Sequence, residues 1–185
     1  MLTRTFTGAP SAADIKELFD RKASAMVRRP AFGRGNGQAH VRLDAMGFRC
    51  EVEHGPRTLL VDQPTSEGGA DAGPHPGQLM RASLGACLAI GYRIWGARLG
   101  VAIDAVEVEL TCEFDARGQL GVAADVAVGW QQVRFDVTIT SGAPEVAVRN
   151  VVATADRLSP MLANLSGDVR RQHHLEIVHP AARAR

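Results

Sequence analysis

The three cysteines hold most of the reactive chemistry open to this chain. Cys50, Cys87 and Cys112 are widely spaced, with no CxxC pair. An odd, scattered set argues against a disulfide framework and against a zinc site. Each thiol is then either a small buried hydrophobe or a nucleophile whose ionisation and access have been arranged. Cys50 and Cys112 fall on the apolar phase of alternating segments and read as core thiols. Cys87 lies in the middle of a mostly apolar stretch, Gly68 to Leu99, and admits both readings. As a nucleophile it needs a nearby cation or donors to bring its pKa down from about 8.5. It also needs a path for an oxidant, which would convert it to a sulfenic acid.

Other residue types offer less. His75 precedes Pro76 and reads as a helix cap rather than a ligand contact. His173 and His174 are adjacent in a segment read as a strand, so they point to opposite faces. With His179 they read as surface residues, and no metal site is expected. The glycines at 68, 69 and 73 match neither a dinucleotide fingerprint nor a phosphate loop. No Gly-x-Ser-x-Gly elbow is present.

The element that must position Cys87 is a helix from Pro76 to Leu99, about 36 Å long at 1.5 Å per residue. Its apolar residues cover more than one face, so burial on most sides is expected. Gly85 and Gly91 inside it suggest that another backbone passes close by. Upstream, Ser11 to Arg28 reads as a helix, with Ser11 and Asp14 as a capping box. Ile15, Leu18, Phe19 and Met26 form its apolar stripe. Three short strands follow, around 39–43, 48–53 and 57–61, joined by tight turns. They read as an antiparallel meander with one buried and one wet face. After the long helix come strands near 106–115 and 133–139. A turn at Arg117-Gly118 and a further short strand are expected between them. A helix from Pro144 or Glu145 to about Leu158 carries Val148, Val152 and Ala155 on one face. A short turn from Pro160 to Leu165 and a last strand over 173–178 complete the reading.

The 185 residues suit one domain. Net charge is +1 and 45% of residues are hydrophobic, which suits a globular domain and gives no support to nucleic-acid binding. Residues 1–36 carry seven Lys/Arg and three Asp/Glu. They read as a packing or dimer-contacting extension rather than a nucleic-acid arm. The long helix contains Arg81, Arg93 and Arg98, so no membrane span is expected. No signal peptide is read, and a reducing cytoplasm is the expected compartment.

The run DQPTSEGGADAGPHPGQLMRASLGACLA, from Asp62 to Ala89, resembles the OsmC/Ohr family of osmotically inducible and organic hydroperoxide resistance proteins. The resemblance continues through FDARGQLG and ADRLSPMLANL and covers roughly Phe32 to Val178. It implies an α+β fold in which antiparallel sheets wrap around two long central helices, within an intertwined homodimer whose sites lie at the subunit interface. The division implied is a helical extension over 1–36, an OsmC-like domain over 37–180 and a loose tail over 181–185. Cys87 matches the peroxide-attacking cysteine. The family's second cysteine, which is followed by proline, corresponds to Ser159-Pro160, and serine cannot form the disulfide. An external thiol or dithiol would therefore be the reductant, with no cofactor. Arg34 is the best match to the family's thiolate-assisting arginine. The family's carboxylate after the helix-start proline is replaced by Gly77, with Glu67 and Asp71 as nearby stand-ins. Arg81, six residues before Cys87, falls on the far side of the helix. Two further readings stay open: a non-catalytic dimer of this fold binding a small apolar molecule, and a scaffolding dimer using the basic N-terminal helix.

Overall fold

A computed structural model describes residues 8–43 and 45–166. The expected strand over 173–178, the histidines there and the tail lie outside the described residues. In chain order the elements are α1 (Ala12–Arg28), β1 (His40–Leu43), β2 (Cys50–His54), β3 (Arg57–Val61), α2 (Pro76–Leu99), β4 (Ala105–Phe114), α3 (Ala116–Gln119), β5 (Trp130–Thr140), α4 (Glu145–Arg157) and α5 (Pro160–Ser166). The class is α+β, with two antiparallel sheets, β1-β2-β3 and β4-β5.

Local chemistry sets the helix starts. At α1, Ser11 Oγ accepts from the Asp14 backbone N–H at 3.2 Å, and the Asp14 carboxylate accepts from Ser11 N–H at 3.1 Å. Both orphan donors of the first turn are thus satisfied. Its stripe differs from expectation at one end. Ile15, Leu18 and Phe19 are half-buried, whereas Met26 is exposed and no α1 residue is fully buried.

The core forms where α2 and α4 meet one face of the β4-β5 ribbon. Leu84, Leu88, Tyr92 and Ala155 are buried together, with Val108, Leu110, Val133, Phe135 and Val137 packed against them. Full burial of a leucine side chain contributes about 1.5–3 kcal/mol, so Leu84 and Leu88 anchor α2 firmly. Strict alternation in β4 and β5 puts the apolar residues on that one face.

Four expectations need correction. The long helix is not buried on most sides within one chain: Met80, Ser83, Ala86 and Ile90 form an exposed stripe, with Ile90 59% exposed. Among the described residues no neighbouring element's backbone passes Gly85 or Gly91. A Cβ at Gly85 would meet the Leu110 side chain at 3.1 Å, and one at Gly91 the Ala155 side chain at 3.9 Å. The neighbouring elements approach α2 through side chains. The meander exists in the expected pairing, but its apolar face is covered only at its Val61 end, with Val41 55% and Leu43 57% exposed. Finally, no strand forms between Gly118 and Gly129; residues 116–119 make one short helical turn instead, capped by Asp115 accepting from Arg117 N–H at 3.0 Å.

Candidate functional site

The site is built from the loop before α2 and from α2 itself. Asp62, at the end of β3, is buried. Its carboxylate accepts backbone N–H groups from Gln63 at 2.8 Å, Ala70 at 3.0 Å and Ala72 at 3.2 Å. These donors, led by Ala72, hold its carboxyl below the usual carboxylate range against the opposing effect of burial. The loop is thus folded around one anion. Gly69 and Gly73 are required by the closeness that results. A Cβ would lie 1.9 Å from the Gln63 carbonyl oxygen at Gly69, and 2.1 Å from that of Leu60 at Gly73.

The loop delivers the chain to His75, which caps α2 as expected. His75 Nδ1 accepts from Gly77 N–H at 3.0 Å, and Gln78 Oε1 accepts from His75 N–H at 2.8 Å. Pro76 occupies the first helical position, where its missing N–H removes no bond. At the far end Gly100, with φ 72°, closes the helix in the left-handed conformation.

Cys87 is half-buried and free. It opens on a cavity of about 650 Å³ bounded by Phe19 of α1, by Ile90, Ile94, Trp95 and Arg98 of α2, and by Leu158 and Ser159 beyond α4. The lining is almost wholly hydrocarbon. Cys87 and Ser159, paired in the sequence reading, therefore share one cavity. Ser159 is buried, and its Oγ accepts from Leu162 N–H at 3.3 Å, which makes it the cap of α5. A serine followed by Pro160 is a helix-start signal, and sequence reasoning missed that role.

The expected polar partners lie elsewhere. Arg34 is exposed, follows a 3-10 turn at Pro30–Gly33 and does not line the cavity. Glu67 and Asp71 are exposed in the loop and do not line it either. Arg81 faces the other side of α2, as its spacing requires, and lines a separate pocket of about 320 Å³ with Val108 and Leu110. Its charge bears on Cys112, whose thiol burial pushes up. Among the described residues the Cys87 sulfur has no hydrogen-bond or ion-pair partner.

Among the described residues the cavity's one cation is Arg98, which sequence reasoning passed over. Its Nε donates to Asp20 Oδ1 at 3.1 Å, and its guanidinium stacks 4.5 Å from the centre of the Trp95 ring. Arg98 lies about three turns beyond Cys87, roughly 16 Å along the axis. Its charge is engaged with Asp20 and Trp95 rather than with the thiol. No helix among the described residues is long and apolar enough to cross a membrane.

The fold has solved relatives. An OsmC-like protein from Mycoplasma pneumoniae is 13% identical, with a TM-score of 0.62 over 72% of this chain and 89% of that one. An organic hydroperoxide resistance protein OsmC from Legionella pneumophila is 18% identical, with a TM-score of 0.54 over 72% and 93%. An organic hydroperoxide resistance protein from Vibrio cholerae, with captopril bound in one active site, is 18% identical, with a TM-score of 0.52 over 73% and 88%. Comparison with curated proteins found no match. The model of the OsmC-like protein family matches residues 68–173, which is more than half of the chain and includes the loop, α2, Cys87 and Ser159. The chain belongs to the OsmC-like family.

Proposed function

We propose that the protein reduces organic hydroperoxides in oxidative-stress defence in the cytoplasm, with Cys87 as the attacking thiolate. The observation that carries this reading is the shared apolar cavity of Cys87 and Ser159. The thiolate attacks the terminal oxygen of ROOH. An S–O bond forms, the O–O bond breaks, and the alkoxide leaves and takes up a proton as ROH. Cys87 becomes a sulfenic acid, oxidised by two electrons. Ser159 has no thiol to condense with it. An external thiol R′SH therefore displaces water to give a mixed disulfide, and a second thiol releases Cys87 and R′SSR′. Hydrocarbon walls suit the organic part of the peroxide.

The working unit in this reading is a homodimer. Two uncovered apolar surfaces support it: the α2 stripe through Met80, Ala86 and Ile90, and the meander face with Val41 and Leu43. A second subunit would cover both and is the natural source of a cation for the Cys87 sulfur.

Titration with cumene hydroperoxide, with Cys87 followed by mass spectrometry, tests the chemistry. Addition of one oxygen at Cys87, reversed by dithiothreitol, is expected. A thiol untouched at high peroxide excess ends the reading. A second reading, a non-catalytic dimer holding a small apolar molecule, is favoured by the lack of a charged partner at Cys87 and by the hydrocarbon lining. A Cys87→Ser variant that keeps full function in cells would select it.

A further inference from the structure

Part of the cavity's lining comes from the N-terminal helix, through Phe19, and that helix precedes the stretch matched to the family. Phe19 contributes its ring to the lining, and its neighbour Asp20 holds Arg98, which is stacked on Trp95, another wall residue. One short run of α1 thus supplies both a bulky apolar surface and a polar clasp to the same cavity. We propose that α1 is a size-limiting wall of the Cys87 site, with Phe19 setting how bulky a molecule reaches the sulfur and the Asp20–Arg98 pair holding that wall in place. The inference takes from the proposed function only that Cys87 is the reacting atom.

The manner in which α1 is attached supports the assignment. None of its residues is fully buried, and Ile15, Leu18 and Phe19 are only half-buried against the rest of the chain. The core of Leu84, Leu88, Tyr92 and Ala155 forms without it. A helix attached this way can be trimmed at one side chain without disturbing the fold. A partly exposed ion pair is weak by itself. The stacking of Arg98 on Trp95 adds to it by fixing the guanidinium where Asp20 can reach it. Apart from that engaged guanidinium and the hydroxyls of Ser83 and Ser159 the lining is apolar. The molecules admitted are therefore uncharged at their bulky end: alkyl or aryl groups of limited girth.

The test measures access to the sulfur, independently of peroxide chemistry. Full-length protein is treated with a small reagent, iodoacetamide, and with a bulky uncharged one, N-(1-pyrenyl)maleimide. The rates at Cys87 and Cys112 are read separately by peptide mass spectrometry. Phe19→Ala is expected to raise the bulky reagent's rate at Cys87 about tenfold, the order that one pocket contact commands, and to leave the iodoacetamide rate within about twofold of the parent. Asp20→Asn should raise the bulky rate by a smaller factor, and Phe19→Trp should lower it. Cys112 should be unaffected throughout. Equal changes for both reagents, a parallel rise at Cys112, or no response of Cys87 to either reagent in Phe19→Ala would overturn the proposal. If peroxide leaves Cys87 untouched while Phe19→Ala still opens it to the bulky reagent, the functional reading fails and the wall stands. If peroxide oxidises Cys87 and Phe19→Ala has no effect on alkylation, the wall fails and the functional reading stands.

Discussion

Cys87 and Cys112 are both half-buried free thiols, one on α2 and one on β4, and their surroundings are opposite. Cys112 has a cation in range, Arg81, yet burial dominates and its pKa is raised. It points with the apolar phase of β4 and is paired in register with Val133. Cys87 has a roomy cavity beside it and, among the described residues, no charged partner. Access is one requirement of a reactive thiol and ionisation the other, and a cation in range does not supply the second at Cys112, where burial wins. The helix cysteine has the access. Among the described residues no cation pairs with its sulfur, which is why the dimer carries weight in the functional proposal.

The largest effect that would break this comparison is a swap of roles. Cys87→Ser is expected to abolish dithiothreitol-dependent consumption of cumene hydroperoxide, while Cys112→Ser leaves it unchanged. Loss of turnover in Cys112→Ser alone would reverse the assignment of the two thiols.

Asp62 sharpens the comparison further, because its loop leads into α2 and not into β4. Its folded pKa is lowered, so the stability it contributes is fully present above its unfolded value of about 3.9. That stability is lost as pH falls through the lower folded value. Asp62→Asn should therefore flatten the fall in melting temperature on acidification between about pH 5 and 2. It should also alter the alkylation rate of Cys87 and leave that of Cys112 unaffected. An unchanged acid profile would show that the carboxylate's three backbone bonds do not carry the linkage.

What was legible in the sequence was local. Ser11 with Asp14, His75 with Pro76, and the alternation of β4 each declare themselves within a few residues, and the structure has them as read. The family's loop and helix were recognisable for the same reason. What was not legible depends on distant parts of the chain meeting. Asp20 and Arg98 are 78 positions apart, and nothing in either neighbourhood marks the other. Asp62 had a faint signal: an aspartate closing a strand just before a glycine-rich loop, where backbone N–H groups converge on an anion. Within one chain the expected burial of α2 and of the meander is incomplete, because periodicity reports which face is apolar, not which molecule covers it.

Tyr92 ties the Cys87 helix to the helix that leads to Ser159. Its ring is wholly buried and its hydroxyl donates to Asp156 Oδ1 at 2.8 Å. Burial and that carboxylate push the phenol well above its ordinary range, so it remains a donor at any working pH. Tyr92→Phe should cost about 1.5–3 kcal/mol, the value of a hydrogen bond to a charged group, read as a lower urea midpoint at unchanged slope. An equal loss in the double variant with Asp156→Asn would assign the whole effect to that one bond.

The smallest expected effect separates structure from chemistry at Ser159. As the cap of α5, its hydroxyl satisfies Leu162 N–H, and removing a serine cap costs about 1 kcal/mol. Ser159→Ala should therefore lower stability by that amount and leave the rate of Cys87 oxidation by peroxide unchanged, since a hydroxyl takes no part in forming or resolving a sulfenic acid. A rate that falls severalfold with stability intact would mean that Ser159 acts on the substrate or the sulfur across the shared cavity. In that case the position that lost its thiol would have kept a place in the reaction.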